Sequence, residues 1–272
     1  MTNPSQASRN TGWAAVALIA ALVGVSGCAY LLRQRIYLPD PLPAQAAVWP
    51  GRAPQLVSVT TSDGLALEGY YWPPSAPGRD VIVFFHGNAG NAAVAARRAE
   101  PLARDGRGLL VASYRGYGAN PGRPSREGLL RDASAFVAEV RSLAPGSPLI
   151  LFGYSLGAAV ALEIAPVEKP RLVVTLGAFA RITDLAPWPV RGVLPDRFDN
   201  LAALRRVTAP VLILHGTHDE VAPFAHAARL LAAAPPGSRM IPLQGADHHP
   251  DLAVIAERLS AVFDAASLDQ AP

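Results

Sequence analysis

The feature that most constrains this chain is a serine held between two glycines at a change of structure. Leu149-Ile150-Leu151-Phe152 is a short apolar run entered from Pro145-Gly146-Ser147-Pro148, and it ends in Gly153-Tyr154-Ser155-Leu156-Gly157. The next eight residues, Ala158-Ala159-Val160-Ala161-Leu162-Glu163-Ile164-Ala165, are dominated by helix formers. A buried strand, a Gly-x-Ser-x-Gly turn and a helix therefore follow one another directly, the context in which this pentapeptide carries chemistry. The glycines let strand and helix backbones approach without a Cβ between them. The turn exposes the serine Oγ and aims the N–H of Leu156, at the helix N-terminus, toward any negative charge that develops there.

The rest of the chain repeats the same alternation. Segments 55–61 and 65–72, around Ser62-Asp63-Gly64, alternate in polarity and read as an antiparallel hairpin. Val81–Phe85 is continuously apolar, as in a strand covered on both faces. Strands are expected at 108–113, 149–153, Leu172–Leu176, 211–214 and 240–243, and helices at 91–104, Arg126–Leu143, about 223–234 and 250–265. On Arg126–Leu143, residues Leu129, Leu130, Ala133, Phe136, Val137 and Val140 share one face. The expected fold class is α/β: a mostly parallel central sheet with helices on both faces. Residues 184–200, rich in proline, tryptophan and arginine, interrupt the alternation and read either as a short lid over the site or as a surface excursion. Trp188 and Phe198 within them are read equally as core or as acyl-binding side chains.

A serine hydroxyl at neutral pH needs a base, a carboxylate to orient that base, and donors for the oxyanion. In one recurrent chain order, serine first, acid next and histidine last, the acid follows a late strand and the histidine the final one. Asp219 lies in His215-Gly216-Thr217-His218-Asp219-Glu220, just beyond the apolar run 211–214. His248 lies in Gly245-Ala246-Asp247-His248-His249-Pro250, just beyond 240–243. Ser155, Asp219 and His248 would meet at the carboxyl edge of the sheet, where sites on such sheets gather. The doublet leaves the base open by one position, with His249 before Pro250 suited to cap the last helix. A second oxyanion donor is expected from His86-Gly87-Asn88-Ala89-Gly90-Asn91, with the N–H of Asn88 as the candidate beside that of Leu156. His86 reads as a structural residue of that loop. Arg115 and Tyr117 read as anchors of a loop under the site rather than as substrate contacts. His215, His218, Asp219 and His248 also form a possible donor set for a metal, but their strand-end context favours the serine chemistry, and neither a metal nor a cofactor is called for.

These segments carry a resemblance. YLPDP, HGNAGN, YRGYG followed by PSREGLLRDA, GYSLGAAVALEIA, PVLILHGTHDEVAP and GADHH occur in the order seen in the α/β-hydrolase superfamily. The pattern YRGYG-x3-G-x-PS-x-EG is similar to the serine-aminopeptidase-like branch that includes the bud-emergence-related hydrolases. The resemblance covers about residues 36–265. It implies an α/β-hydrolase domain over 36–272 with Ser155, Asp219 and His248 as its triad, and it favours His248 through the Gly-x-x-His spacing from Gly245. The reaction it implies is hydrolysis of a small-molecule acyl substrate, a carboxylic ester first. Peptidase, thioesterase or acyltransferase work uses the same triad, and an idle hydrolase fold serving as an envelope binding protein is the reading from another class.

Residues 1–35 stand apart from this domain. Arg9 is the only charged residue before Arg33, and Trp13 to Leu32 form an uncharged run of twenty residues, just long enough to span a bilayer as a helix. The same run serves equally as the apolar region of a signal peptide, because Val25-Ser26-Gly27-Cys28 resembles a bacterial lipobox in which Cys28 is lipidated. Either reading places the domain on a membrane of the cell envelope. Residues 38–54 carry five prolines and read as an extended linker hugging the domain. Cys28 is the sole cysteine, so no internal disulfide forms. The net charge is only +3 and the basic residues, all arginine but Lys169, are scattered, so a nucleic-acid partner is not expected.

Overall fold

The computed structural model describes residues 27–40, 49 and 51–268. Eight strands form one sheet in the order β10-β9-β8-β7-β4-β6-β3-β2. These are β2 (Gln55–Thr60), β3 (Ala66–Trp72), β4 (Val81–Phe85), β6 (Gly108–Ala112), β7 (Leu149–Tyr154), β8 (Leu172–Leu176), β9 (Val211–Gly216) and β10 (Arg239–Leu243). The β2–β3 and β3–β6 pairs are antiparallel, and every other pair is parallel. Two residues at each of two places, β1 (Leu38–Pro39) and β5 (Ala89–Gly90), form a separate parallel pair.

The continuously apolar central strands are explained by cover on both faces. Val81, Val83 and Phe85 of β4 pack in one core with α3 (Arg126–Leu143) and α4 (Leu156–Glu168). Ile82 and Phe84 point the other way, into a second core shared with α2 (Ala92–Ala99) and α8 (Leu252–Leu268). Successive side chains of a strand face opposite sides, so both layers demand an apolar residue and no polar alternation survives. At the edge, β2 alternates exposed and buried positions, as a half-covered strand does. Helix α4 is buried on almost every side from Leu156 to Ala165, which accounts for a composition apolar there at every position but Glu163.

Most boundaries lie within two residues of the sequence expectations, and three differences have a local physical cause. The helix expected over 91–104 is α2 alone, capped by the Asn91 side chain accepting from Val94 N at 3.1 Å. Pro101 supplies no backbone donor there, and the chain tightens into a 3₁₀ turn over Glu100–Ala103. The last helix starts at Leu252, with Asp251 Oδ1 accepting from Ala253 N at 2.8 Å. His249 is thus not the helix cap. The interruption near 184–200 begins slightly earlier, as α5 (Ile182–Leu185), a 3₁₀ turn over Trp188–Val193 and then α6 (Asn200–Leu204). Its ends are joined by a backbone bridge between Arg181 and Asp199.

Helix α1 covers residues 27–36 and carries the last residues of the N-terminal apolar run; residues 13–26 of that run, and linker residues 41–48 and 50, lie outside the described residues. Among the described residues, no helix is long and apolar enough to cross a membrane. Cys28 is a free, exposed thiol on α1. The linker does hug the domain where it is described, through β1 on β5 and through the Trp49 ring against Tyr70 and Trp72.

Candidate active site

Four loops at the carboxyl ends of β4, β7, β9 and β10 converge on one point, since parallel strands deliver their C-termini to a common edge. Ser155 follows β7 at φ 52° and ψ −113°. Among the described residues, only Ser155 and Lys169 hold a positive φ without being glycine. Such a conformation costs on the order of 1–3 kcal/mol and persists only when the surroundings enforce it. They do so here. Ser155 N donates to Leu176 O at 2.8 Å, and a Cβ on Gly157 would lie 2.0 Å from the Phe85 carbonyl oxygen. A Cβ on Gly153 would lie 2.3 Å from the Gly157 oxygen. The two glycines of the pentapeptide are therefore required by close approach of α4 to β4 and to its own strand.

His248 lies between the serine and the acid. Its Nε2 is 3.0 Å from Ser155 Oγ and its Nδ1 is 2.7 Å from Asp219 Oδ2. With Nδ1–H donating to the carboxylate, Nε2 is left to accept from the serine. The other oxygen of Asp219, Oδ1, accepts from the backbone N–H groups of Val221 and Ala222 at 2.9 and 2.7 Å. All three side chains are buried. Asp219 is fixed from behind by the strand-end turn and cannot rotate without losing three hydrogen bonds.

The doublet is resolved by direction. Adjacent residues cannot face the same way on an extended loop, and His249 turns to Tyr154 instead, with Nδ1 2.5 Å from the phenol oxygen. The Tyr154 hydroxyl donates in turn to the His248 carbonyl at 3.0 Å. That pairing makes His249 Nδ1 the donor. Burial and the neighbouring His248 push the His249 pKa below its ordinary value, so the neutral ring is the one that fits. Gly177, at φ +60°, lies under the His248 ring; a Cβ there would sit 3.2 Å from His248 Cε1. Tyr154 and Gly177 were not picked out from the sequence. The end of β8 at Leu176 was the available signal for the glycine, because a loop past that strand had to enter the same edge.

The loop after β4 carries Asn88. Its carbonyl accepts from Leu38 N at 2.8 Å and from the Tyr117 hydroxyl at 2.7 Å, and its side-chain amide donates to Ile36 O at 3.1 Å. The Tyr114 hydroxyl holds the His86 carbonyl at 3.0 Å. Thus the two tyrosines of YRGYG clamp the loop that would complete an oxyanion site. Arg115, between them, is a buried anchor as expected. Its guanidinium and backbone N–H bind Asp132, and it also forms a paired contact to Asp63 in the β2–β3 turn. These bonds hold the Asp63 carboxyl well below the usual carboxylate range. His86 is wholly enclosed, with Nδ1 2.8 Å from Gly87 O, and burial lowers its pKa to about 4.

Of the remaining candidates, His215 is buried behind Asp219 and its Nε2 donates to Ala222 O at 2.6 Å, while His218 is exposed. Among the described residues, no group of three or more His, Cys, Asp or Glu side chains is arranged to hold a metal ion. Phe198 is fully buried in the core, and Trp188 is 82 % exposed. Neither touches the site, so neither of the two readings holds for Trp188, and Phe198 is core.

Ser155, Leu156 and Asn88 line a cavity of about 550 Å³, within the range of small-ligand pockets. Its other walls are Leu32, Arg35 and Ile36 of α1, Phe179, Val221 and residues of the segment from Ile182 to Leu194. Arg35 is the one charged residue among them.

Comparisons with known proteins give the family and the fold. The family described as serine aminopeptidase, S33, matches residues 76–198, a span that includes the Asn88 loop and Ser155. The uncharacterized protein Rv2307c of Mycobacterium tuberculosis is 35 % identical over 247 residues, covering 86 % of this chain and 87 % of that one. Protein bem46 of Schizosaccharomyces pombe is 27 % identical over 188 residues, 61 % of each chain. The solved esterase Pf2001 of Pyrococcus furiosus shares the fold with a TM-score of 0.67 at 16 % identity, over 84 % of this chain and 97 % of that one. The chain belongs to the α/β-hydrolase superfamily, in its serine aminopeptidase S33 branch. It is a hydrolase by family and fold.

Proposed function

We propose that the chain is a serine hydrolase that cleaves carboxylic esters through an acyl-enzyme intermediate, with Ser155 as nucleophile, His248 as base and Asp219 as its orienting carboxylate. The observation that carries this reading is the hydrogen-bonded line from Ser155 Oγ through His248 to Asp219, at 3.0 and 2.7 Å, ending in an apolar cavity. His248 Nε2 takes the Oγ proton as Oγ bonds to the acyl carbon. The N–H groups of Leu156 and Asn88 receive the oxyanion; Leu156 is the first residue of α4, and the first N–H groups of a helix have no partner within it. Collapse of the tetrahedral species breaks the bond to the alcohol, which leaves with the proton from His248. Water then repeats the sequence on the acyl-serine and restores the enzyme. Asp219 holds the imidazole in the Nδ1–H tautomer and stabilises its cation.

An ester is favoured over a peptide because the cavity is apolar around the serine and offers few groups to pair with a peptide backbone. The solved neighbour Pf2001 is an esterase, which supports the same reading. The domain is tethered to a membrane by its N-terminal segment, either through lipid on Cys28 or through the apolar run itself; α1 continues that run directly into the cavity wall.

Fluorophosphonate labelling of the purified full chain tests the chemistry, followed by turnover of a panel of esters. Ser155→Ala should fold normally, fail to label and lose at least about 10⁴ in ester turnover. Labelling of that variant at the wild-type rate would refute the mechanism.

A further inference from the structure

The cavity beside Ser155 is walled in part by α1, which carries the last residues of the N-terminal apolar run, and in part by residues 182–194. Leu32 and Ile36 of α1 stand across from Ile182, Leu185, Val190 and Leu194. The two sides are tied by a two-pronged ion pair, Arg33 Nε and Nη2 donating to the Asp196 carboxylate at 2.8 and 3.2 Å. Asp196 is buried at the end of the insertion, so α1 and residues 182–196 form one continuous rim.

That rim exposes apolar residues of a kind a water-facing surface does not favour. Leu31 is 63 % exposed, Trp188 82 %, Val193 58 % and Val221 54 %. Leu31 and Trp188 adjoin the cavity residues Leu32 and Pro187, and Val221 lines the cavity itself. Arg35 lines the cavity, Arg191 and Arg197 belong to the same segment as Trp188 and Val193, and all three arginines are exposed. The guanidinium groups of Arg191 and Arg197 contact only backbone carbonyls of their own segment, and no carboxylate within the described residues pairs with any of the three. Exposed tryptophan and aliphatic side chains interleaved with arginine are the composition of a surface that sits at the headgroup level of an anionic bilayer. The sequence supplies the bilayer. The uncharged residues from Trp13 onward run into α1 without a break, so whatever anchors them ends at this rim.

We propose that the face made by α1 and residues 182–194 rests on an anionic lipid bilayer, and that the cavity behind it takes the acyl chain of an ester drawn from that bilayer. This rests on the serine-hydrolase reading for its chemistry. Cys28, Leu32, Arg35 and Ile36 follow one helical stripe. Lipid carried on Cys28 therefore leaves α1 on the cavity side. The acyl chain crosses from hydrocarbon to apolar wall without passing through water, and the alcohol portion stays at the rim among the arginines.

The test uses the full chain in proteoliposomes of phosphatidylcholine and phosphatidylglycerol, with and without brominated acyl chains. Trp13 is replaced by Phe throughout, since it lies in the apolar run. In Trp13→Phe, brominated lipid should quench a share of the tryptophan fluorescence, and that share should vanish when Trp188→Phe is added. Equal quenching with and without Trp188 overturns the docking. In the second measurement, a fluorogenic long-chain ester is dispersed in the vesicles and a short-chain ester is dissolved in the buffer. Trp188→Ser together with Leu31→Ser should lower the ratio of vesicle-borne to dissolved turnover at least tenfold, and an unchanged ratio overturns the substrate route. If the serine reading itself fails, Ser155→Ala retains turnover in both formats while the quenching result still stands or falls by itself.

Discussion

Replacing Gly157 with alanine places one methyl group where the structure has no space. The new Cβ would lie 2.0 Å from the Phe85 carbonyl oxygen and 2.6 Å from that of His86, both backbone atoms. Neither can rotate away as a side-chain end can. Restoring even a tight contact requires α4 to withdraw from β4 by about 1 Å, at the point where Ser155 enters the helix. Forcing a methyl group into a packed interior costs about 1–3 kcal/mol, and a backbone clash belongs at the upper end. For a domain of this size, about 3 kcal/mol lowers Tm by roughly 6–12 °C. The functional cost is separate. A displacement of about 1 Å in a near-attack arrangement removes about 10² in rate, and here it moves Ser155 away from both His248 and the Asn88 loop that follows Phe85. The assay is calorimetry of the wild type and Gly157→Ala, paired with the rate of fluorophosphonate labelling at a temperature where both are folded. Gly192→Ala is the stability control, because a Cβ there meets nothing within 4 Å, and its Tm should stay at the wild-type value. Wild-type Tm and labelling rate in Gly157→Ala would refute the argument that close approach is what the second glycine of the motif provides.

The histidine doublet gives the next expectation: His248→Gln should abolish ester turnover, whereas His249→Gln, which loses the bond to Tyr154, should cost less than tenfold, about 1.4 kcal/mol; the reverse order in steady-state kinetics would make His249 the base. Tyr117→Phe removes the hydroxyl that holds the Asn88 carbonyl and should lower kcat several-fold with little change in KM, by loosening an oxyanion donor; an unchanged kcat would show that the Leu38 N–H bond suffices. Acid should destabilise the fold before its carboxylates titrate. The unfolded chain protonates His86 near pH 6.5 but the folded one only near 4, so the unfolded state binds more protons in that window and stability falls as pH drops through it, by about 3 kcal/mol from this residue at full extent. His215, His226 and His249 are lowered too and act in the same direction, and the raised pKa of Asp132 opposes them. Urea midpoints measured at pH 7 and pH 4.5 should differ accordingly, and equal midpoints would contradict the burial of neutral histidines.

Much of this was legible in the chain itself because it is local. The apolar runs 81–85, 149–152 and 211–214 announce strands covered on both faces, since period-two geometry leaves no polar side to show. Ser155 was legible because strand, strained turn and helix are consecutive, and the glycines on either side of it are demanded within that one turn. Arg126–Leu143 has the same limits in sequence and in structure, because a serine cap and a sustained apolar face mark both its start and its course. What lay beyond local pattern was everything set by side-chain direction across distant segments. Residue types alone leave open which ring of His248-His249 faces Ser155, and only the resemblance, through the spacing from Gly245, favoured His248; in the fold Tyr154, 94 residues from His248, accepts from the His249 ring and supports the His248 carbonyl. The cap of α8 moved to Asp251 for the same reason, once His249 was held elsewhere. Trp188 and Phe198 were indistinguishable as aromatic residues of one insertion, and only packing sent one into the core and the other to the surface. The part played by α1 was equally hidden. Its residues read as the end of an apolar run, and it becomes a wall of the cavity through distant contacts in the folded chain, Arg33 with Asp196, 163 residues later, and Ile36 O with the Asn88 amide. Local order follows from what neighbouring residues permit, whereas the site depends on which of several permitted directions the tertiary contacts select.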